Sequence, residues 1–557
     1  MKKALLCGLG MLIAIQTWGA DAVNVKKELK AADLYGGFEA MKVLPDSTGV
    51  SVVLDKRVFK FGKEQKGVIV TDVIDVGPAQ GVLAQAAQVK KVAVSVEAAV
   101  PEGCSVTVET RTGDSFFDQS KWSPWAPLEK LGGAVDKPAG RYIQVKLTLA
   151  GKDENTVPSV SKLSLEAETA PAAMPAGVKV ADSKIEQIVR SPIDFKYERM
   201  DQEKLAKFRK AINLDAVVAE GKTDFDKLVL LMDWVGSCKN DRTQKKNITK
   251  GFYAWDIEAV AEVTEKSDSD KKIGKATIFG HCMSYAEVLS ISASALGYKS
   301  RHMAVVGFKE ASHEVVEVWV PSLKKWVYLD PSLSNYYMDK DTKAVLNIIE
   351  QHNIVAKTFV PEGKDMNWFI RRDIQEPKDV VKKIGGKTPI DARLGKWKYG
   401  EPMPGDYDWG WSHGYLADGF VQMTPRNDFH ANPDANPKKF QEYPGYAGYP
   451  FWVDAKTPPK KGVNNWYTRM RDFYWTLDQA SMALTSSADG SKKLVVEFGN
   501  SMPFFKAYQV KVNGQAVAEA KIPFTWELKA GENKLEVAPV DEFGQVGAAS
   551  SVSVTCD

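Results

Sequence analysis

Three residues that can cooperate in nucleophilic catalysis follow one another in the middle of the sequence. Cys282 comes shortly after Gly280, His313 follows, and Asp330 completes the series. A cysteine thiolate attacks carbonyl carbons, a histidine accepts the thiol proton and returns it to a leaving amine, and a carboxylate fixes the tautomer of the imidazole. Cys282, His313 and Asp330 are therefore candidate catalytic residues for acyl transfer.

The elements predicted around these residues would bring them together. A helical pattern covers residues 277–296 and ends at Gly297, so Cys282 would lie near a helix N-terminus. There the helix dipole and the unpaired amide groups favour a thiolate, and the Cys282 amide can donate to an oxyanion. Strand patterns follow at residues 301–307, 314–320 and 325–329. Two adjacent antiparallel strands can set His313 beside Asp330.

Each of the three residues has an ordinary explanation when it is taken alone. A lone cysteine usually behaves as a small buried apolar residue. A lone histidine is usually a hydrogen-bonded residue of the core or the surface that takes no part in catalysis. An Asp-Pro pair is often only a turn. The ordered set, with each residue in a distinct structural setting, favours a catalytic arrangement.

The same stretch resembles the transglutaminase-like superfamily, whose members share a papain-like core. In that family a Gly-x-Cys opens the central helix, a small residue follows, and the helix leads to a Gly and then an Arg. The matching residues are Gly280, Cys282, Ala286, Gly297 and Arg301. The family's His precedes a strand that carries an aromatic residue, and its Asp follows a Trp and precedes a Pro. The matching residues are His313, Trp319, Trp326, Asp330 and Pro331.

The resemblance covers only the α+β segment, residues 178–375. It implies that Cys282 is the nucleophile, His313 the acid and base, and Asp330 the residue that orients the imidazole. One departure is Glu314, which stands where a small residue often follows the family's histidine.

These residues and the resemblance predict a thiol enzyme that transfers an acyl group through a thioester. With water as the acceptor it would be a peptidase or amidase, and with an amine it would be a cross-linking protein-glutamine transferase. Hydrolysis of a protein, peptide or peptidoglycan-type amide is favoured, because the sequence shows no dedicated amine site. The alternative is a non-catalytic surface or carbohydrate-binding protein with a degenerate transglutaminase-like core, and a glycan would then be its partner.

No cofactor and no metal are expected. His313 and Glu317 lack the second histidine that an HExxH zinc site needs, and the sequence has no CxxC pair. No run of ligands like that of an EF-hand is present, although some eukaryotic members of the superfamily need calcium.

Length and composition predict an ordinary multidomain globular protein. The chain has 557 residues, of which 44% are hydrophobic and 26% are charged. The net charge of +3 gives no argument for nucleic acid or an anionic membrane as a partner. Beyond the N-terminal segment the cysteines are Cys104, Cys238, Cys282 and Cys556. Four cysteines are too few for disulfides to hold a fold of this size.

Residues 1–22 have the features of a signal peptide. Lys2 and Lys3 precede an apolar run over residues 4–15, and Ala20 and Ala22 offer small residues for cleavage. The run is too short to span a bilayer, and no later long apolar segment follows. The protein is therefore expected to be secreted or periplasmic, without stable membrane insertion.

Five segments are predicted after the signal peptide. Short alternating runs indicate an N-terminal β-sandwich over residues 23–168, which resembles jelly-roll modules, and a linker over 167–177. Residues 178–375 are predicted to form an α+β transglutaminase-like catalytic domain. Helical patterns occur there at 184–190, 201–212 and 225–235, and Asp224 is a predicted helix start. An aromatic-rich extension that packs on the core is expected at 376–480, and an immunoglobulin-like sandwich at 481–557.

Several other residues are weaker candidates. Trp122 and Trp125 can bind sugar rings, although such aromatics are more often packing residues. Trp234 precedes the cysteine and can assist an oxyanion by analogy with some relatives. The histidines His302, His413 and His430 complete this group, and His302 is expected to be structural.

Overall fold

The protein divides into two compact units that are both rich in β-structure. The first consists of the chain up to Arg190 together with Asp478–Asp557, and the second of Ser191–Leu477. The computed structural model describes residues 22–36, 43–45, 51–61, 64–78, 81–135, 140–241, 257–306, 312–332, 334, 336–339, 342–358, 420–428, 449–454 and 465–557. The predicted multidomain, β-rich architecture is thereby confirmed. The predicted signal segment lies outside the described residues except for its last residue.

The amino-terminal part of the first unit is a sandwich of two antiparallel sheets. One sheet contains β1 Val23–Glu28, β3 Val43–Pro45, β4 Val52–Leu54, β8 Ala87–Ala99, β11 Gly132–Ala134 and β13 Ser159–Pro171. The other contains β2 Leu34–Gly36, β5 Lys66–Thr71, β6 Ile74–Asp75, β9 Ser105–Gly113, β10 Ala126–Pro127 and β12 Tyr142–Ala150. A short helix, α1 Val58–Phe61, lies between β4 and β5. Alternate side chains such as Val92, Val94 and Val96 are buried, because successive strand residues point to opposite faces.

The carboxy-terminal residues form a second sandwich, and two of its strands come from earlier in the chain. One sheet contains β14 Val178–Lys184, β26 Phe505–Val512, β27 Gln515–Val517, β29 Gly531–Asp541 and β30 Ser550–Cys556. The other contains β7 Leu83–Ala84, β24 Ala480–Ser486, β25 Lys493–Asn500 and β28 Phe524–Glu527. Side chains from both sheets, among them Leu484, Val496 and Val552, share one core.

This arrangement corrects the predictions for residues 167–190. The helix predicted over 184–190 is wrong, since Lys184 ends a strand and no helix follows it before Arg190. β13 extends to Pro171, so the predicted linker is shorter. β14, which was assigned to the catalytic domain, pairs antiparallel with β30 in the first unit. Backbone hydrogen bonds to a strand almost 400 residues away decide its conformation, and a local pattern does not register such a partner.

In its described ranges, the second unit contains seven helices and two sheets. The helices are α2 Glu203–Ile212, α3 Leu214–Val218, α4 Asp224–Ser237, α5 Ile257–Val260, α6 Cys282–Ala295, α7 Ile348–Thr358 and α8 Met470–Phe473. A small sheet contains β15 Lys239–Asp241, β16 Ala261–Glu265 and β17 Lys275–Phe279. The large sheet contains β18 Ser300–Val306, β19 Ser312–Val320, β20 Lys325–Leu329, β21 Phe420–Met423, β22 Phe451–Val453 and β23 Trp466–Tyr467. Within the described ranges, no helix is long and apolar enough to cross a membrane.

The central helix of this unit is α6, and all of its residues after Cys282 are buried. A helix that is buried all round belongs to the interior of a domain, and α6 shares its hydrophobic core with α2, α4, β19 and β20. Its start differs from the prediction, since residues 277–279 belong to β17. That strand pairs parallel with β15 and antiparallel with β16, so the helix begins only at Cys282.

The helix α4 has a defined N-terminal cap. The Thr223 hydroxyl accepts a hydrogen bond from the Asp226 amide at 3.1 Å, and the Asp226 carboxylate accepts one from the Thr223 amide at 3.0 Å. This reciprocal pair is a capping box, which satisfies amide groups that have no partner within the helix. Thr223 therefore caps the helix, and Asp224, the predicted helix start, is its first residue.

Three described strands of the predicted aromatic-rich extension, β21, β22 and β23, belong to the large sheet, and the short helix α8 follows them. β21 pairs with β18, and β22 and β23 continue the sheet beyond it. Phe451, Trp452 and Trp466 are buried there. In these parts the aromatic residues serve packing. The rest of the segment 376–480, including His413 and His430, lies outside the described residues.

A buried ion pair joins β18 to β19 on one face of the large sheet. Arg301 and Glu317 are both fully buried, and the guanidinium donates to Glu317 Oε2 at 2.6 and 3.0 Å. The other carboxylate oxygen accepts hydrogen bonds from the Ile348 amide and the Tyr474 hydroxyl, both at 2.8 Å. Arg301 also lies 4.2 Å from the centroid of the Trp326 ring. One ion pair thus connects the sheet to α7 and to the residues that follow α8.

We expect Glu317→Gln to destabilise the protein by about 3–5 kcal/mol, because it leaves the buried Arg301 charge uncompensated. Glu527→Gln is the matched control, since Glu527 pairs with Lys493 at an exposed site, where water screens the charges, and should change the stability little. Differential scanning calorimetry of the full chain measures both. Equal effects of the two substitutions would contradict this assignment.

Candidate active site

Cys282 is the first residue of α6, and a tight turn delivers it there. Gly280 has φ of +116°, a conformation that favours glycine, and His281 is the N-cap in an extended conformation. The side-chain amide of Asn240 on β15 donates to the Gly280 carbonyl at 3.0 Å. Two features therefore fix the turn between β17 and α6: the positive φ of Gly280, and the hydrogen bond from the Asn240 side chain to the Gly280 carbonyl.

The position of Cys282 suits a nucleophile. Its side chain is half-buried and its thiol is free. The first turn of a helix has amide N–H groups with no intrahelical acceptor, and the positive end of the helix dipole lies there. A negative charge on the sulfur, or on an oxygen bound near the Cys282 amide, is stabilised at such a position.

His313 and Asp330 are held together by the antiparallel pair β19 and β20. His313 is the second residue of β19, Asp330 follows the last residue of β20, and the two strands pair with Val316 opposite Leu329. His313 Nε2 lies 2.6 Å from Asp330 Oδ2. The structure thus brings these two predicted residues into direct contact.

The Asp330 carboxylate is fully buried and is held by further donors. Its Oδ1 accepts a hydrogen bond from the Ser332 amide at 3.0 Å, and the Tyr328 hydroxyl lies 3.4 Å from Oδ2. A buried carboxylate needs such partners to offset the loss of hydration. They also fix the direction in which Asp330 faces the imidazole.

The charge state of His313 follows from its neighbours. Burial acts to lower the pKa of His313, but the charge and hydrogen bond of Asp330 and the hydrogen bond and charge of Cys282 outweigh burial. The pKa of His313 therefore stands well above its usual value. Because Nε2 faces Asp330, the ring nitrogen left for the sulfur of Cys282 is Nδ1. An imidazolium at this place is the counter-charge that a thiolate needs.

Three residues of this site were not among the sequence-based candidates. Tyr328 lies on β20 two positions before Asp330, so the alternation of side chains along an extended chain is a signal that could have found it. Ser332 follows the Asp-Pro pair, where an Asp side chain often accepts a backbone amide. Asn240 leaves no such signal, because only the parallel pairing of β15 with β17 brings it to Gly280.

Other candidates lie elsewhere. Trp234 packs in the hydrophobic core at 6.3 Å from the Phe208 ring centroid. Burial raises the pKa of Cys238 to about 12, which leaves it a protonated, unreactive thiol near neutral pH. Trp122 is buried and its indole N–H donates to the Ser115 carbonyl at 2.9 Å, so it is a packing residue. Trp125 is half-buried, with the Arg111 guanidinium and the Lys146 ammonium each 4.8 Å from a ring centroid.

His302 is also buried and contacts Glu314 and Glu287. Among the residues that the structure describes, no group of three or more His, Cys, Asp or Glu side chains is arranged to hold a metal ion.

Comparison with known proteins gives weak similarities to proteases. No protein-family model matches the chain, and no curated protein matches it. A solved structure of a candidate cysteine protease from Cytophaga hutchinsonii is 14% identical, with 44% of this chain and 79% of that chain covered and a TM-score of 0.16. A candidate protease from Parabacteroides distasonis is 10% identical, with 54% and 71% covered and a TM-score of 0.13. Similarity at this level carries no argument, so the function has to be inferred from the residues themselves.

We expect Asp330→Asn to slow the alkylation of Cys282 by iodoacetamide at pH 7 by about tenfold or more, since a neighbouring opposite charge shifts a pKa by about 1–3 units. His313 with a raised pKa keeps its proton until the pH rises through the raised value, and removal of the Asp330 charge moves that loss to lower pH. Mass spectrometry of the labelled peptides gives the rate.

The matched control is Asp339→Asn, which removes a carboxylate that caps an exposed turn at Thr342. Labelling of Cys104 in the first unit provides an internal standard. Equal rates for Asp330→Asn and the wild type would show that Asp330 does not control the charge of His313.

Proposed function

We propose that this protein is an exported thiol enzyme of the transglutaminase-like type that hydrolyses peptide or amide bonds. One observation carries the proposal: an imidazole bound at 2.6 Å to a buried carboxylate also contacts a half-buried thiol at a helix N-terminus. Each of these groups has a defined part in acyl transfer. The packing of α6 against the antiparallel strands β18 and β19 supports a papain-like core.

Acylation would begin with the Cys282 thiol proton on Nδ1 of His313. The thiolate attacks the carbonyl carbon, and the carbonyl oxygen becomes an oxyanion that the Cys282 amide at the helix N-terminus can stabilise. Collapse of this intermediate breaks the C–N bond, and His313 gives its proton to the departing amine. An acyl-thioester on Cys282 remains. Asp330 keeps Nε2 hydrogen-bonded, so that Nδ1 stays directed at the sulfur in every step.

Deacylation would reverse these roles with water as the acceptor. His313, now neutral, takes a proton from the water as the water attacks the thioester carbon. The tetrahedral intermediate then expels the Cys282 thiolate and releases a carboxylic acid. We propose water as the acceptor because water needs no binding site of its own, whereas a transferase has to position an amine. The substrate we propose is a protein, peptide or peptidoglycan-type amide outside the cytoplasm, as residues 1–22 suggest.

The direct test is hydrolysis of a fluorogenic peptide-amide library and of purified peptidoglycan fragments by the full chain. We expect Cys282→Ala to lower turnover by about 1000-fold or more, since removal of a nucleophile eliminates the covalent route. Cys104→Ala is the matched control, because Cys104 lies in the first unit with its sulfur 3.2 Å from the Thr156 carbonyl. We expect this control to retain wild-type turnover.

Amide hydrolysis that survives Cys282→Ala would contradict the proposal. Product analysis with an added primary amine separates the two acceptors, since a transferase forms the amide of that amine. Glycan binding without turnover of any amide would instead favour the non-catalytic alternative.

A further inference from the structure

A second cluster of ionisable side chains is buried inside the second unit, on elements that also carry residues of the candidate active site. It consists of Glu287 on α6, His302 on β18 and Glu314 on β19, and is called the acid–histidine cluster below. Glu287 and Glu314 are completely buried, and His302 is 3% exposed. The proposed chemistry uses none of the three side chains.

The histidine lies between the two carboxylates. His302 Nε2 is 3.0 Å from Glu314 Oε2, and His302 Nδ1 is 3.7 Å from Glu287 Oε1. The Thr424 hydroxyl, just beyond β21, lies 3.2 Å from His302 Nδ1. Three elements, α6, β18 and β19, and the segment after β21 therefore meet at one imidazole.

The cluster joins the two elements that carry the thiol and the imidazole of the active site. Glu287 lies on the same helix as Cys282, between one and two turns further along, and Glu314 is the backbone neighbour of His313. A shift of α6 along the sheet would change the distance from Glu287 to His302 and the distance from Cys282 to His313 together. The contacts of the cluster therefore constrain the geometry of the reactive pair.

The ionisable groups of the cluster shift one another's pKa values. Burial raises the pKa of Glu287 to about 8, with His302 acting against this shift and Glu314 adding to it. Burial acts to lower the pKa of His302, but Glu287 and Glu314 outweigh it and the pKa is raised. Near neutral pH burial thus favours the protonated form of Glu287, and the carboxyl group nearest to the imidazole is that of Glu314. The titratable groups that face the imidazole from α6 and β19 are these two glutamates.

Apolar side chains in such a place would be at least as favourable for stability. Buried ionic groups are often no more stabilising than well-packed hydrophobic residues of similar volume, but their contacts are directional. A contribution to stability alone therefore does not explain these three buried ionisable residues, whereas directional contacts that position α6 relative to β18 and β19 do.

We propose that Glu287, His302 and Glu314 are positioning residues that set the separation of Cys282 from His313. The cluster holds α6 against β18 and β19 so that the thiol and the imidazole stay within hydrogen-bonding reach. The inference rests on the proposed function only in that Cys282 and His313 act as a pair. It assigns no contact with the substrate to the three residues.

The test is the rate at which iodoacetamide alkylates Cys282 in the full chain at pH 7, with residue-resolved mass spectrometry. Glu314→Gln replaces the carboxyl group that lies 3.0 Å from His302 Nε2, and Glu287→Ala removes the contact from α6. We expect each to slow Cys282 alkylation about tenfold, as a change of one pKa unit in the thiol–imidazole pair would. Glu287→Gln keeps the shape and neutrality of a protonated Glu287, so we expect at least a third of the wild-type rate.

Two controls separate positioning from loss of structure. Ser290→Ala alters a buried polar residue of the same helix, whose hydroxyl lies 2.8 Å from that of Ser300, and we expect a wild-type rate. Cys238 packs against the hydrophobic core of the same unit, so its labelling would rise if a variant loosened that core. We expect Cys238 labelling to stay at the wild-type level in the glutamate variants.

Glu314→Gln and Glu287→Ala with Cys282 rates within twofold of the wild type would overturn the inference. So would a loss of Cys282 reactivity that appears only together with faster labelling of Cys238. Failure of the proposed function has a different signature, since wild-type Cys282 would then react no faster than Cys104. The two failures are therefore distinguishable in one experiment.

Discussion

The interaction on which the site depends is the contact between the His313 imidazole and the Asp330 carboxylate. The carboxylate is fully buried, so its charge has to be balanced within the protein, and an imidazolium 2.6 Å away balances it. The same contact holds one ring nitrogen and leaves the other for the thiol. Tautomer, ring orientation and proton affinity thus follow from one buried hydrogen bond. Tyr328 and Ser332 hold the carboxylate in the direction that this bond requires.

Each face of the large sheet carries its own group of buried charged or ionisable side chains, which contact the elements packed on that face. Arg301 pairs opposite Glu317 in the register of β18 and β19, and both side chains point away from those of His302 and Glu314. On one face the ion pair connects the sheet to α7 and Tyr474. On the other face the acid–histidine cluster connects it to α6. The strand that presents His313 is therefore anchored on both faces by charged groups with directional contacts.

The sequence contains enough information to predict the candidate residues and much of their setting. Alternation of apolar residues predicts β19 and β20 to within two residues, and these short, locally patterned strands are what set His313 beside Asp330. The end of α6 is predicted from Gly297, whose φ of +89° suits a helix terminus. The catalytic role of Cys282, His313 and Asp330 stays a prediction that only activity can test.

The features that the sequence did not predict are those that depend on strands far away along the chain. Residues 277–279 have a helical pattern, but two neighbouring strands pair with them and the helix starts at Cys282. β14 joins a sandwich built mainly from the last 80 residues, and no local pattern indicates that partner. Asn240 supports the Gly280 turn for the same reason. Strand pairing over long distances is the common cause, because local periodicity does not encode it.

The most direct measurement of the central claim is ¹⁵N NMR of the full chain labelled at histidine, with the His313 signals assigned through a His313→Gln variant. The account predicts that both ring nitrogens of His313 stay protonated as the pH rises through the ordinary histidine range near 6.5, and that Asp330→Asn restores ordinary titration. Titration of wild-type His313 near the ordinary value, unchanged by Asp330→Asn, would contradict it.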